Sequence, residues 1–104
     1  MDKPIACDLN AIPSEQRQGH VTLTESLFAQ VEERQALADG YAFRFPATVL
    51  QTAAQFVSLE RLCCPFFTFN LDVSNDVLWL KMTGPEGAKE LLEVEFGINT
   101  MPIN

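Results

Sequence analysis

The sequence predicts an α+β domain built as a two-layer sandwich, with helices on one face of a small, mainly antiparallel sheet. Three observations lead there. Residues 66–84 read as a hairpin whose cross-strand partners agree in polarity, "YAFRFP" (41–46) alternates aromatic with small or charged residues, and two longer stretches carry apolar residues at helical spacing. In chain order the predicted elements run β-α-β-α-β-β-α.

"PIACDL" (4–9) is the first, short strand. Residues 13–37 read as a helix: Pro13 or Ser14 suits its start, and Leu23, Leu27, Phe28 and Val31 form one apolar stripe. Gly19 weakens its first turns, and Asp39-Gly40 ends it. Residues 41–46 form the second strand, and "TVLQTAAQFVSLERLC" (48–63) a second helix stopped by Pro65. Ser74-Asn75-Asp76 then separates two apolar runs. With Asn75-Asp76 as a two-residue turn, Val73 faces Leu78, Leu71 faces Leu80 and Phe69 faces Met82. All six are apolar and belong on the core, whereas Asp72 opposite Trp79 and Asn70 opposite Lys81 face outward. Residues 84–96 form the third helix, with Pro85 at its first position and Leu91, Leu92 and Phe96 on its apolar edge. Residues 97–104 read as a frayed tail to a single compact domain, 1–104.

The bulk numbers suit that domain. The chain has 104 residues, 47% of them hydrophobic, including eight Phe. No apolar run approaches the ~20 residues that a membrane helix needs. "MDKPIACDLN" lacks the basic-then-apolar layout of a secretion signal, so the expected address is cytoplasmic, where thiols stay reduced. Seven basic against fourteen acidic residues give a net charge of −7. Such a surface repels phosphate backbones, which argues against a nucleic acid partner. The expected partners thus exclude nucleic acid and membrane and admit a homodimer.

The chemistry concentrates in "SLERLCCPFF" (58–67). On a helical wheel of residues 48–63, Val49, Leu50, Ala53, Phe56 and Val57 share one face. Glu60 falls near its middle, flanked by Cys63 and Cys64, while Gln51, Gln55 and Ser58 point away. A carboxyl aimed at the core must find a cation, accept hydrogen bonds or stay protonated. Arg34 and Arg44 are two cations within the chain that would meet that need. His20 lies two turns before Leu27 and so shares the apolar face of the first helix.

Neighbouring Cα atoms lie ~3.8 Å apart, below the ~4.4 Å minimum of ordinary disulfides, so Cys63 and Cys64 do not bridge each other readily. Three cysteines also leave one over in any disulfide framework. A helix C-terminus and a neighbouring carboxylate both disfavour a thiolate. A soft cation reverses that balance, because it deprotonates the thiols it binds. Cys63 and Cys64, with Cys7 as a third sulfur and Glu60 or His20 as a further donor, suit Zn(II), Cu(I) or a heavier thiophilic ion. Pro65 pushes Cys64 out of helical geometry and frees the two sulfurs to converge.

At "ERLCCPFFTF" and "LWLKMTGPEGAKELL" the chain resembles a set of small bacterial proteins that carry E-R-x-C-C-P-F-F and W-L-x-x-T-G-P-E-G segments. The likeness extends over "ACDLNAIPSEQR" and "GYAFRFP". It implies a shared compact domain, directs attention to Glu60, Arg61, Cys63 and Cys64, and implies no particular reaction.

Three functions remain open to the sequence. The first is a thiol protein that uses the vicinal Cys63–Cys64 pair to hold a soft metal or metalloid ion or to undergo reversible oxidation. The second is a non-catalytic interaction or dimer module with core cysteines, making contact through Trp79. The third is a small-molecule enzyme with Glu60 as buried general acid/base, aided by His20 and with a cysteine nucleophile. A cleft that joins Glu60, His20 and a sulfur within hydrogen-bond reach is the mark of the third.

Overall fold

The computed structural model of the chain describes residues 6–97. Helices α1 (Ser14–Phe28), α2 (Leu50–Cys63) and α3 (Ala88–Glu95) cover one face of a four-stranded antiparallel sheet. Its strands are β1 (Glu33–Leu37), β2 (Gly40–Pro46), β3 (Thr68–Ser74) and β4 (Val77–Thr83), in the order β1-β2-β4-β3. The α+β class and its one-sided layering follow from the strand patterns. Tyr41, Phe43, Phe45, Leu78, Leu80 and Met82 alternate inward and are all buried. Gln35, Asn70, Asp72 and Lys81 lie outward and exposed.

The hairpin has the register expected of it: Val73 opposes Leu78, Leu71 opposes Leu80 and Phe69 opposes Met82. Asn75 holds φ 57°, the left-handed conformation that a tight two-residue turn requires and that Asn tolerates. One expectation fails at its edge. Leu71 and Val73 are 36% and 45% exposed, and they lie on β3, the edge strand of the sheet.

The fourth strand is where the sequence misleads. α1 ends at Phe28, not at residue 37, and Glu33–Leu37 pairs with β2 as a hairpin. Its residues are Glu, Arg, Gln, Ala and Leu, all good helix formers, so pairing with β2 overrides local propensity. Of the strand expected at 4–9, residues 4 and 5 lie outside the described residues. Ala6–Asp8 are in neither helix nor strand, and Leu9–Ala11 make a 3-10 turn. The described elements therefore run α-β-β-α-β-β-α. α3 also starts late, at Ala88, behind Gly87 at φ 95°, so Pro85 precedes the helix. Of the expected tail, Gly97 lies in the turn after α3 and 98–104 lie outside the described residues.

Gly40 is fixed by the sheet itself. A Cβ there would collide with the Met82 carbonyl of β4, its neighbour strand. Phe28 meets Phe43, Phe45, Phe56 and Phe96 with ring centroids 5.2, 5.8, 5.4 and 4.8 Å away, and so joins α1, α2 and the residue that ends α3 to the sheet. Phe43, Phe45 and Phe56 are fully buried, each contributing about 1.5–3 kcal/mol of transfer free energy. This packing holds α1 alongside α2 and brings their inward polar residues face to face.

Candidate functional site

α2 carries its inward face as the helical wheel places it. Ala53 and Phe56 are fully buried, Glu60 and Cys63 are 6% and 5% exposed, and Gln51, Gln55 and Ser58 are exposed. Leu50 departs from this pattern at 38% exposed. Cys64 terminates the helix at φ −126°, ψ 73°, outside the helical region that Pro65 disfavours for the residue before it. Its N–H still donates to the Glu60 carbonyl at 2.7 Å.

The segment before α1 returns to this helix end. The Asp8 N–H donates to the Cys63 carbonyl at 2.8 Å, and the Asp8 carboxylate caps the turn Leu9–Ala11 through the Asn10 N–H at 3.0 Å. Arg17 of α1 fastens the turn through Nε to the Ile12 carbonyl at 2.9 Å and Nη2 to the Asn10 carbonyl at 3.2 Å. These bonds set Cys7 against the end of α2, where it forms a disulfide with Cys64 across a sequence separation of 57. The sulfur pairing is therefore Cys7 with Cys64 and not the vicinal Cys63–Cys64 pair, and the odd number of cysteines leaves one thiol outside it. Cys63 remains a buried free thiol, and all three sulfurs lie within 4.8 Å of one another.

Glu60 finds its partner in His20, not in Arg34 or Arg44. His20 Nε2 stands 2.7 Å from Glu60 Oε1, and Arg44 instead faces Glu32 and Glu33 at 3.6 and 3.1 Å. His20 is 4% exposed and stacks on Phe56 at 5.7 Å, which holds the ring toward Glu60. The second carboxyl oxygen, Oε2, lies 3.2 Å from Cys64 Sγ. A disulfide sulfur carries no proton, so this contact is a hydrogen bond only when Glu60 donates to it. Burial, the largest influence, raises the Glu60 pKa, while the His20 hydrogen bond and charge lower it. The direction is upward, toward the protonated form that the contact needs. With Nε2–H donating to Oε1 and Oε2–H donating to Sγ, every proton of the chain His20–Glu60–Cys64 has an acceptor.

Cys63 behaves differently. Burial first, then the charges of Glu60 and Glu95, push its thiol up to about 11. It stays protonated near neutrality and is a poor nucleophile there. Cys7 is half-buried, and with Cys63, His20 and Glu60 it lines a cavity of about 370 Å³ whose border includes Glu25, Glu95 and Phe96. Cys64 is fully buried behind them. Accessibility thus separates an outer sulfur, Cys7, from an inner one that touches the carboxyl.

The structure joins Cys7, Cys63, Cys64, Glu60 and His20 in one site. Trp79 lies elsewhere, half-buried on the outer sheet face beside Asp72 and Lys81. Sequence reasoning missed Glu25 and Glu95. Both are exposed acids whose neighbourhood only the tertiary fold defines, and no local pattern marks them. No protein-family profile matches the chain, and comparison with curated proteins and with solved structures finds no match. No described helix is long and apolar enough to cross a membrane.

Proposed function

We propose that this protein is a thiol–disulfide redox protein in which Cys7 and Cys64 are the reversible couple and Glu60 is its general acid/base. The observation that carries this reading is the approach of buried Glu60 Oε2 to Cys64 Sγ at 3.2 Å. Disulfide exchange proceeds by thiolate attack on sulfur, so a buried sulfur needs a group that takes its proton and later returns it. In the oxidising direction a small disulfide accepts two electrons. The Cys7 thiolate attacks it, one thiol leaves, and a mixed disulfide forms on Cys7. Cys64 then transfers its proton to Glu60 and attacks Cys7 Sγ, and the second thiol leaves. In reverse, protonated Glu60 returns its proton to Cys64 as a thiol attacks Cys7 and breaks the bond. His20 is a positioning residue that fixes the Glu60 carboxyl through Oε1. In the cytoplasm, the compartment that belongs to this reading, such a bond is made and broken rather than kept for stability.

The test is a thiol–disulfide titration of the anaerobically reduced protein, with peptide mapping and stopped-flow kinetics. The expected product is a single Cys7–Cys64 disulfide, formed reversibly and retained in Cys63→Ser. Glu60→Gln is expected to slow its formation by ~10²-fold or more, the usual contribution of a positioned acid/base. Unchanged kinetics in Glu60→Gln would identify a merely structural disulfide and defeat the reading.

A second reading rests on the three sulfurs within 4.8 Å of one another. Once the disulfide is reduced, Cys7, Cys63 and Cys64 supply three soft donors of the type that Zn(II), Cu(I), Hg(II) and As(III) take. The Cys7–Cys64 bond removes two of those donors, so ion binding and oxidation exclude each other. Native mass spectrometry checks this: the reduced protein binds one ion, and the oxidised protein and Cys63→Ser/Cys64→Ser bind none.

A further inference from the structure

The cavity in front of the couple has a definite electrostatic character. Glu25, Glu60 and Glu95 border it, and among the described residues neither lysine nor arginine lines it. The charge of Glu95 reaches the chemistry, since it raises the pKa of both Cys63 and Glu60. The whole chain, at −7, adds to the same field. One polar atom also lacks a partner: His20 Nδ1 is buried and has no hydrogen bond among the described residues. When Nε2 carries the ring proton and donates it to Glu60, Nδ1 is left as an acceptor, and an ammonium group is a donor of matching chemistry.

We propose that the cavity selects small, amine-bearing thiols and disulfides, of which cystamine is the type, over anionic ones such as oxidised glutathione. The selection rests on the redox reading above and names the substrate class of that site. A volume of about 370 Å³ holds an aminoethylthio arm on Cys7 with its ammonium among the Glu25 and Glu95 carboxylates. A glutathionyl group would bring two carboxylates against a single ammonium, a net negative charge, into the same acidic surroundings. The reaction balances as two transfers. The Cys7 thiolate displaces one cysteamine from cystamine, Cys64 displaces the second from Cys7, and Glu60 takes the Cys64 proton. Protein dithiol and cystamine become protein disulfide and two molecules of cysteamine.

The experiment mixes the reduced full-length protein with cystamine, hydroxyethyl disulfide or oxidised glutathione under anaerobic conditions, then quenches with acid and counts thiols by mass spectrometry. Each rate is divided by the rate with the same chain unfolded in urea, which removes the intrinsic reactivity of the reagent. The normalised rate with cystamine is expected to exceed that with oxidised glutathione by at least about tenfold, the lower end of electrostatic steering. Hydroxyethyl disulfide should fall between them. Raising the salt concentration, or substituting Glu25→Gln/Glu95→Gln, should bring the three rates together. Equal normalised rates, a preference for oxidised glutathione, or a preference for cystamine that survives both salt and the double substitution would overturn the selectivity while leaving the redox couple standing. Failure of all three reagents to produce the Cys7–Cys64 disulfide would overturn the redox reading and the selectivity with it.

Discussion

Burial favours the neutral form of Glu60, while the His20 bond favours the carboxylate, and the outcome decides how stability depends on pH. Its pKa is raised in the folded state, by desolvation above all, against lesser lowering by His20 and a further rise from Glu95. The folded chain therefore binds more protons than the unfolded chain between the ordinary and the raised value. Stability from this group is fully present below the ordinary glutamate pKa and is lost as pH rises through the raised one, with a slope of at most about 1.36 kcal/mol per pH unit. Urea unfolding of wild type and Glu60→Gln across that range should show their difference changing with this sign. A difference that stays flat would mean that Glu60 is ionised throughout. Cys63 offers a second measurement at this scale. A thiol moved from 9.0 to about 11 should react with iodoacetamide roughly a hundredfold more slowly than an ordinary cysteine near neutrality, as its thiolate fraction falls. The rate should climb until about pH 11. These residues were legible in the sequence as exceptions to an apolar helix face. The partnership of Cys7 with Cys64 was not, because it depends on backbone bonds between segments 57 residues apart.

Elements were legible where one signal was both local and two-sided. The β3–β4 hairpin announces itself through a turn and through three apolar pairs that agree on register, so each supports the other. α2 is equally plain, since its wheel and the stop at Pro65 coincide. β1 has neither advantage. Its five residues favour a helix, only Leu37 among them is a large apolar residue, and its partner strand supplies what its own sequence lacks. The hairpin that joins β1 to β2 leans on Gly40, where the backbone of β4 comes so close that no side chain fits. Gly40→Ala should therefore cost about 1–3 kcal/mol, the range for forcing extra volume into a packed interior. Chemical denaturation measures it directly. A change within ±0.5 kcal/mol would show that β2 and β4 part easily at this point.

Across the whole molecule, the disulfide couples redox state to folding. It closes a loop with a sequence separation of 57 that contains α1, β1, β2 and α2, hence most of the elements that build the core. Cross-linking a loop of this length removes about 4 kcal/mol of conformational freedom from the unfolded chain at 25 °C in the chain-entropy account. The same linkage runs backward: whatever the disulfide contributes to folding, folding contributes to the disulfide. About 4 kcal/mol corresponds to roughly 10³ in an equilibrium constant, so the Cys7–Cys64 bond should resist dithiothreitol about 10³-fold better in the native protein than in urea. Parallel titrations in the two solvents give that ratio, and unfolding of the oxidised and reduced proteins gives the same free energy independently. Agreement between the two numbers would show that the disulfide acts on a cooperative fold as a whole. A much smaller effect in both would mean that the unfolded chain already brings Cys7 to the end of α2. In that case the disulfide forms and breaks without loosening the domain that carries it.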